Sequence, residues 1–419
     1  MSISPKGHKA IFYTNQSQYN ALVEDLLEGK NLGKEFNYLQ GLQGALFAKR
    51  ILDYFIEEET IHDKKWPSLN KDQSLLSMSS GERKKALLNH LLQTKPEYLI
   101  LINPLDNLDH ASQKDLITHL NLLSKTKYIL LFISRKADIL PFINSYYLLK
   151  SNTLIPLDDL SKISSKKTPG WTNSIPEALD TISYTHTNLV KLNKVSVSYG
   201  SSAILNNINW RIRPGEFWKL SGPNGSGKTT LLSMINGDSP KAYGKDIYLL
   251  GYQKGQGESV WDLKKSMGYF TPAMIDRFKG YHTLENMIIS GLFDSIGLYI
   301  KPSNVHRRLA LKWLRLLDME DKKDTYFHKL SQGDKHLIMC IRAMIKHPPL
   351  LILDEPTSGL DDSSARAVVA LTNRMSEESN TAIIFVSHRE EPLLKAKLEY
   401  ALVPTNNGSE GIVRTIAEN

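Results

Sequence analysis

Apolar residues along the chain gather in short runs. The clearest are 98–105, 128–133 and 350–353, each closed by a polar or charged position. Runs this short read as strands buried on both faces and are far below the length a membrane span needs. Leu189–Tyr199 alternates apolar and polar residues, as an edge strand does. Phe217–Leu220 is a further strand, and Leu231-Leu232-Ser233-Met234-Ile235 begins a helical pattern shortly after it. Between about 150 and 188 no periodicity is sustained, and Ser, Thr, Lys and Pro accumulate. That stretch is expected to be a linker or extension between a domain at 1–150 and another at 189–419.

The stretch joining the strand at 217 to the helix at 231 carries the first chemistry. Gly222-Pro223-Asn224-Gly225-Ser226-Gly227-Lys228-Thr229-Thr230 matches a phosphate-binding loop, with the flanking strand and helix that such a loop needs. Its glycines let successive N–H groups turn towards phosphate oxygens, and the helix N-terminus adds its positive dipole end. Lys228 would neutralise the β- and γ-phosphates, and Thr229 would ligate Mg²⁺. The bound species is therefore a nucleotide.

Downstream stand Leu330-Ser331-Gln332-Gly333-Asp334, Leu350-Leu351-Ile352-Leu353-Asp354-Glu355-Pro356, Ser358-Gly359-Leu360-Asp361 and Ile383-Ile384-Phe385-Val386-Ser387-His388. In this order they resemble the signature, Walker B, D-loop and switch-histidine motifs of ABC-type ATPases. The resemblance covers nearly all of 189–400 and implies an α/β P-loop NTPase fold with ATP and Mg²⁺ as ligands. It further implies that Asp354 holds Mg²⁺, Glu355 activates the attacking water, His388 contacts the γ-phosphate and Tyr199 stacks on adenine.

The first half repeats the pattern 252 residues earlier, with Met78-Ser79-Ser80-Gly81-Glu82, Tyr98–Pro104 and Asp109. Ser331 to Asp354 and Ser79 to Ile102 are both 23 residues. Projected with the same spacing, the first half's phosphate loop falls before Met1. Either that domain has lost its nucleotide-binding core or the chain is N-terminally shortened. The local imitation Gly29–Glu35 has the wrong glycine spacing and a Glu where Ser or Thr is required. Ile102 and Asn103 replace the Asp–Glu pair, and Arg135 stands one residue out of register with the histidine. The expected fold is two non-identical ABC ATPase domains in tandem, the first incomplete.

In ABC ATPases the signature of one domain closes over nucleotide held by the other. The resemblance thus implies one competent composite site, with Ser79 and Gly81 capping the second half's loop. Ser331 and Gly333 have no partner loop within this chain, and the alternative is a homodimer through the second halves, which would place them over the neighbour's Lys228. Pro272 stands where relatives carry a Mg²⁺-ligating glutamine, so turnover is expected to be slow. The insertion Gly251–Lys265 and the run Ser80–Lys85 resemble soluble tandem ABC proteins without membrane spans, of the ModF and photorepair-protein group and its fungal relatives. The function so implied is an ATPase acting on an unidentified protein partner. The alternatives are a nucleotide-binding subunit docked on a separate membrane protein, and a regulatory module whose ATPase has decayed.

Composition adds little. The net charge of +8 comes from Lys and Arg interleaved with acids along the chain, so it does not by itself call for nucleic acid or a membrane surface. One cysteine, Cys340, excludes an internal disulfide and suits a reducing compartment such as the cytoplasm. Met1–Val23 carries Lys6 and Lys9 without an acid, which leaves a mitochondrial address as the alternative.

Overall fold

The computed structural model describes residues 7–14, 17, 19–30, 32–62, 73–150, 152–160, 170–180, 184 and 186–416. Residues 1–6, 15, 16 and 18 of the Met1–Val23 stretch, Asn31 of the rejected loop, and 151, 161–169, 181–183 and 185 of the expected linker lie outside them. The chain divides into two compact units. One is Met1–Ser165 with Gly359–Asp362, and the other is Lys166–Ser358 with Ser363–Asn419.

The first unit is built on six strands, β1 (Lys9–Phe12), β2 (Gly44–Phe47), β3 (Tyr98–Ile102), β4 (Tyr128–Ile133), β5 (Ser145–Lys150) and β6 (Thr153–Leu157), ordered β2-β3-β4-β1-β5-β6. All neighbours are parallel except β6, which returns antiparallel to β5. Helices α1 (Tyr19–Glu28), α2 (Lys49–His62), α3 (Ser80–Gln93) and α4 (His110–Leu123) complete it. The period of two along β3 explains why its five residues are all buried. Leu99 and Leu101 face one core with Leu87, Leu88, Leu116 and Leu120 of α3 and α4, while Tyr98, Ile100 and Ile102 face a second with Val23 and Leu26 of α1.

The second unit holds β7 (Val190–Tyr199), β8 (Ser202–Ile212), β9 (Phe217–Ser221), β10 (Ile247–Leu249), β11 (Tyr252–Gln253), β12 (Met267–Phe270), β13 (Leu350–Asp354), β14 (Ala382–Val386), β15 (Leu398–Thr405) and β16 (Gly408–Thr415). Their order is β11-β10-β7-β8-β16-β15-β9-β14-β13-β12. Its helices are α5 (Lys228–Ile235), α6 (Val260–Lys265), α7 (Ala273–Arg277), α8 (Leu284–Ile289), α9 (Asn304–Leu316), α10 (Gln332–Met344) and α11 (Asp362–Glu378). The Gly251–Lys265 insertion is held by an ion pair between Lys254 and Glu258 at 3.0 Å, with side chains 0% and 2% exposed. Glu258 also accepts the N–H groups of Gly255 and Gln256.

The strand order places the repeat where linear spacing did not. The run β12-β13-β14-β9-β15-β16 is the run β2-β3-β4-β1-β5-β6, so Lys9–Phe12 stands in its sheet where the strand before the phosphate loop stands in the other. The first unit's counterpart of the loop therefore begins at Tyr13, and the projection to a point before Met1 is corrected. That projection failed because Lys9 to Ser79 spans 70 residues where Phe217 to Ser331 spans 114. Among the described residues the first unit has no counterpart of β7, β8, β10 or β11, which is the sense in which it is incomplete.

The expected linker is also corrected in part, because Thr153–Leu157 forms β6. Further along, Arg374 of α11 donates to the carbonyls of Trp171 and Asn173, and Glu378 accepts the Ile175 N–H.

Candidate active site

The loop after β9 folds tightly because its glycines take backbone angles closed to other residues. Gly227 has φ +90°, and a Cβ there would meet Leu205 Cδ2 at 2.7 Å. Gly222 has φ +146°, and a Cβ there would meet the Leu402 carbonyl at 2.8 Å. The loop delivers the chain into α5, whose first residue is Lys228. Lys228 is buried, and its Nζ donates to the carbonyls of Gly222 and Pro223 at 2.8 and 2.9 Å. These bonds hold the ammonium over the loop.

The loop opens on a cleft of about 360 Å³ lined by Tyr199, Asn224, Gly225, Gly227, Lys228, Thr229 and Thr230. Asp354, Glu355 and His388 close its other side. Asp354 ends β13 and Glu355 follows it with φ +51°, a left-handed turn fixed by the Glu355 N–H to Val386 carbonyl bond. His388, two residues past β14, brings Nε2 to 2.6 Å from Glu355 Oε1. Burial and the neighbouring Glu355 carboxylate push the Asp354 carboxyl up to about 6, against the pull of Lys228 and His388.

Tyr199 is half exposed at the end of β7, with the Lys241 ammonium 5.1 Å from its ring centre. The cleft thus assembles most of the residues expected for the second half. It also contains Ile204 on β8, which carries no chemical signature and was not singled out by sequence. Gly222, Pro223 and Ser226 shape the loop without lining the cleft, and Ser331 and Gly333 do not line it either. Ser331 caps α10 by accepting the Asp334 N–H. Pro272 precedes α7 with φ −53°, a start to which proline is preformed, and neither it nor Thr271 lines the cleft.

The donor set suits Mg²⁺. Thr229 and Asp354 offer hard oxygens in one cleft, and among the described residues no cluster of His, Cys, Asp and Glu makes an all-protein metal cage. An ion bound through two protein groups, phosphates and water is the form Mg²⁺ prefers.

The first unit has the same frame with its chemistry replaced. Its β1–α1 connection, Tyr13-Thr14-Asn15-Gln16-Ser17-Gln18, contains neither glycine nor lysine. Asn103 follows β3 with φ +42°, and its N–H bonds to the Phe132 carbonyl as Glu355 bonds to Val386. Ile102 pairs with Phe132 as Asp354 pairs with Val386, so Ser134 is the counterpart of His388. Arg135, expected one residue out of register with the histidine, stands one residue beyond that position. The Asn103 amide donates to Tyr13 Oη at 2.8 Å and Ser134 Oγ at 3.2 Å, and Asn103 Oδ1 accepts the Ser134 N–H at 3.1 Å. A closed neutral network thus stands where the second unit has an acid facing a cleft. The first unit's signature is intact locally: Ser79 caps α3 in a reciprocal box with Glu82, and Gly81 is buried, with a Cβ excluded by Ser112 Oγ at 2.7 Å.

Comparison with known proteins agrees with this geometry. The family model described as ABC transporter matches residues 205–358. The ABC transporter ATP-binding protein ModF of Escherichia coli (strain K12) is 36% identical over 337 residues, covering 76% of this chain and 68% of the relative. An uncharacterized ABC transporter ATP-binding protein of Schizosaccharomyces pombe is 30% identical over 336 residues, covering 76% and 66%. Among solved structures, archaeal ribosome recycling factor aABCE1 in complex with ribosomal stalk protein aP1 superposes with TM-score 0.60 at 16% identity, covering 97% of this chain and 85% of that one. That last likeness extends the shared fold through both units. No helix among the described residues is long and apolar enough to cross a membrane.

Proposed function

Because the chain belongs to the ABC transporter ATP-binding protein family and is an ATPase, we propose that its second unit carries the one competent nucleotide site of a two-part machine. It closes on ATP and reopens on hydrolysis to act on a partner protein. The observation that carries the reading is the contact of Glu355 Oε1 with His388 Nε2 at 2.6 Å, in the cleft that Lys228 and Asp354 also line. Lys228 has three donors, so it can keep a loop carbonyl while turning to the β- and γ-phosphates. Glu355 takes the proton of the attacking water, and His388 holds that carboxylate towards the γ-phosphate. Tyr199 stacks on the adenine.

Thr229 and Asp354 are the residues that would hold Mg²⁺, which when bound supplies positive charge against the phosphate oxygens. Asp354 must be ionised for this, and with its carboxyl near 6 it is so at neutral pH. Ser79 and Gly81 are assigned as signature residues for the γ-phosphate of ATP, the role the family resemblance implies for them. Ser331 and Gly333 have no phosphate loop to cap within this chain, because Tyr13–Gln18 lacks glycine and lysine. In the alternative arrangement, a homodimer, they take the place of Ser79 and Gly81 as the cap, over the Lys228 loop of a second copy, and the ATPase rate rises with protein concentration. Pro272 removes one side-chain oxygen from the Mg²⁺ shell and slows turnover. The lone buried Cys340 agrees with the cytoplasm.

The test is Glu355→Gln, which is expected to bind ATP normally while hydrolysis falls by ~10²–10⁴, the range for a lost general base. Unchanged turnover would remove Glu355 from the mechanism. Lys228→Ala should lose ATP binding itself. Ser79→Ala with hydrolysis intact would dismiss the composite cap.

A further inference from the structure

His336 lies in α10, five residues after the signature Ser331, and is 0% exposed. Its Nδ1 meets the Pro356 carbonyl at 2.7 Å, and its ring stands edge-on to Phe270 at 5.4 Å. Burial lowers its pKa to about 4, so the ring is neutral at physiological pH and Nδ1 carries the proton that the carbonyl accepts. Pro356 follows Glu355, whose left-handed backbone is an uncommon state that surrounding contacts must hold.

The first unit makes the same contact with different chemistry. The residue five after Ser79 is Lys84, and its Nζ donates to the carbonyl of Pro104, the proline after Asn103, at 2.7 Å. An ammonium and an imidazole reach one backbone atom from equivalent helical positions. What the position supplies in both units is a donor, and the side-chain type is secondary.

We infer that His336 is a positioning residue for the reaction, a donor that ties the signature helix to the Glu355–Pro356 turn and so sets the direction of the Glu355 carboxylate. The inference rests on the reading of Glu355 as the base. His336 does not touch nucleotide. It acts on the turn, and because α10 begins at the signature serine, a shift of the helix on closure is carried to the base through one hydrogen bond.

The experiment compares His336→Leu, which fills the space without a donor, with His336→Gln, which restores an N–H. The leucine variant is expected to lose about ten- to a hundredfold in kcat, the scale of a small misplacement of a reacting group. Its KM for Mg-ATP and its affinity for a fluorescent ATP analogue should stay as in the parent. The glutamine variant should recover most of kcat. Full kcat in His336→Leu, equal loss in both variants, or loss of ATP affinity in step with kcat would each overturn the inference. If the leucine variant does not purify folded, His336→Met gives the same donor-free comparison. Glu355→Gln run alongside separates the two ideas. Unchanged turnover there removes the base itself, whereas lost turnover there with full kcat in His336→Leu removes only the positioning role.

Discussion

Asn in place of Asp354 should make the nucleotide-free protein more stable while disabling it. The structure raises this carboxyl from 3.8 to about 6, chiefly through burial and then through the adjacent Glu355 charge. At ~1.4 kcal/mol per unit, holding Asp354 ionised costs the folded second unit about 3 kcal/mol at neutral pH. The sign follows from linkage: the folded state binds the proton more tightly than the unfolded chain, so stability is highest below the unfolded pKa and falls as pH rises through about 6. Asp354→Asn keeps the shape and removes the charge. In urea unfolding without nucleotide it should gain up to about 3 kcal/mol at pH 7.5, with the gain falling to about half by pH 5. Mg-ATP should then stabilise the parent and leave the variant with little added protection. A variant no more stable than the parent at pH 7.5, or a gain equal at both pH values, would refute the electrostatic account.

Three further results are expected. Equilibrium dialysis should find one ATP per chain, because the first unit closes its counterpart site with Tyr13, Asn103 and Ser134, and a second site at similar affinity would contradict that reading. The value of kcat/KM for Mg-ATP should rise towards a plateau as pH passes about 6, the value to which Asp354 is raised, and a rate flat from pH 5 to 8 would exclude its ionisation as the controlling step. Gly227→Ala should abolish ATP binding, since φ +90° and a 2.7 Å approach to Leu205 leave no room for a methyl group, and retained binding in a filter or fluorescence assay would show that the loop tolerates another path.

What sequence could read was set by how strongly each element is marked. The phosphate loop, Asp354, Glu355 and His388 were legible because their spacing and their flanking apolar strands are imposed by chemistry. The first unit's sheet was only half legible. Its β3 and β4 are apolar runs, but β1 is the four residues Lys-Ala-Ile-Phe, beginning with a charge and followed by no glycine. Nothing in that stretch announces a strand central to a fold. A spacing carried across a segment 44 residues shorter than its counterpart could not find it, and only hydrogen bonding between β1, β4 and β5 does.

The two units retain backbone geometry where they have exchanged side chains. Left-handed residues recur at the same offset of 252: Lys95 and His347 at φ +51° and +47°, Asn103 and Glu355 at +42° and +51°, Asn107 and Gly359 at +58° and +70°. Such angles are unfavourable for lysine and glutamate, less so for asparagine and histidine, and free only for glycine. Their recurrence in a unit without an acid after β3 means that the turn is demanded by the strand-to-helix path and its amide bond to the neighbouring strand. Chemistry is then a matter of which side chain the turn presents. Glu355 faces a cleft with a lysine across it, whereas Asn103 faces a tyrosine and a serine that satisfy it. By the same argument Asn103→Glu should not create a second ATPase site: it would add a charge to a neutral network, beside a connection with no glycine to cradle phosphate and no lysine to neutralise it.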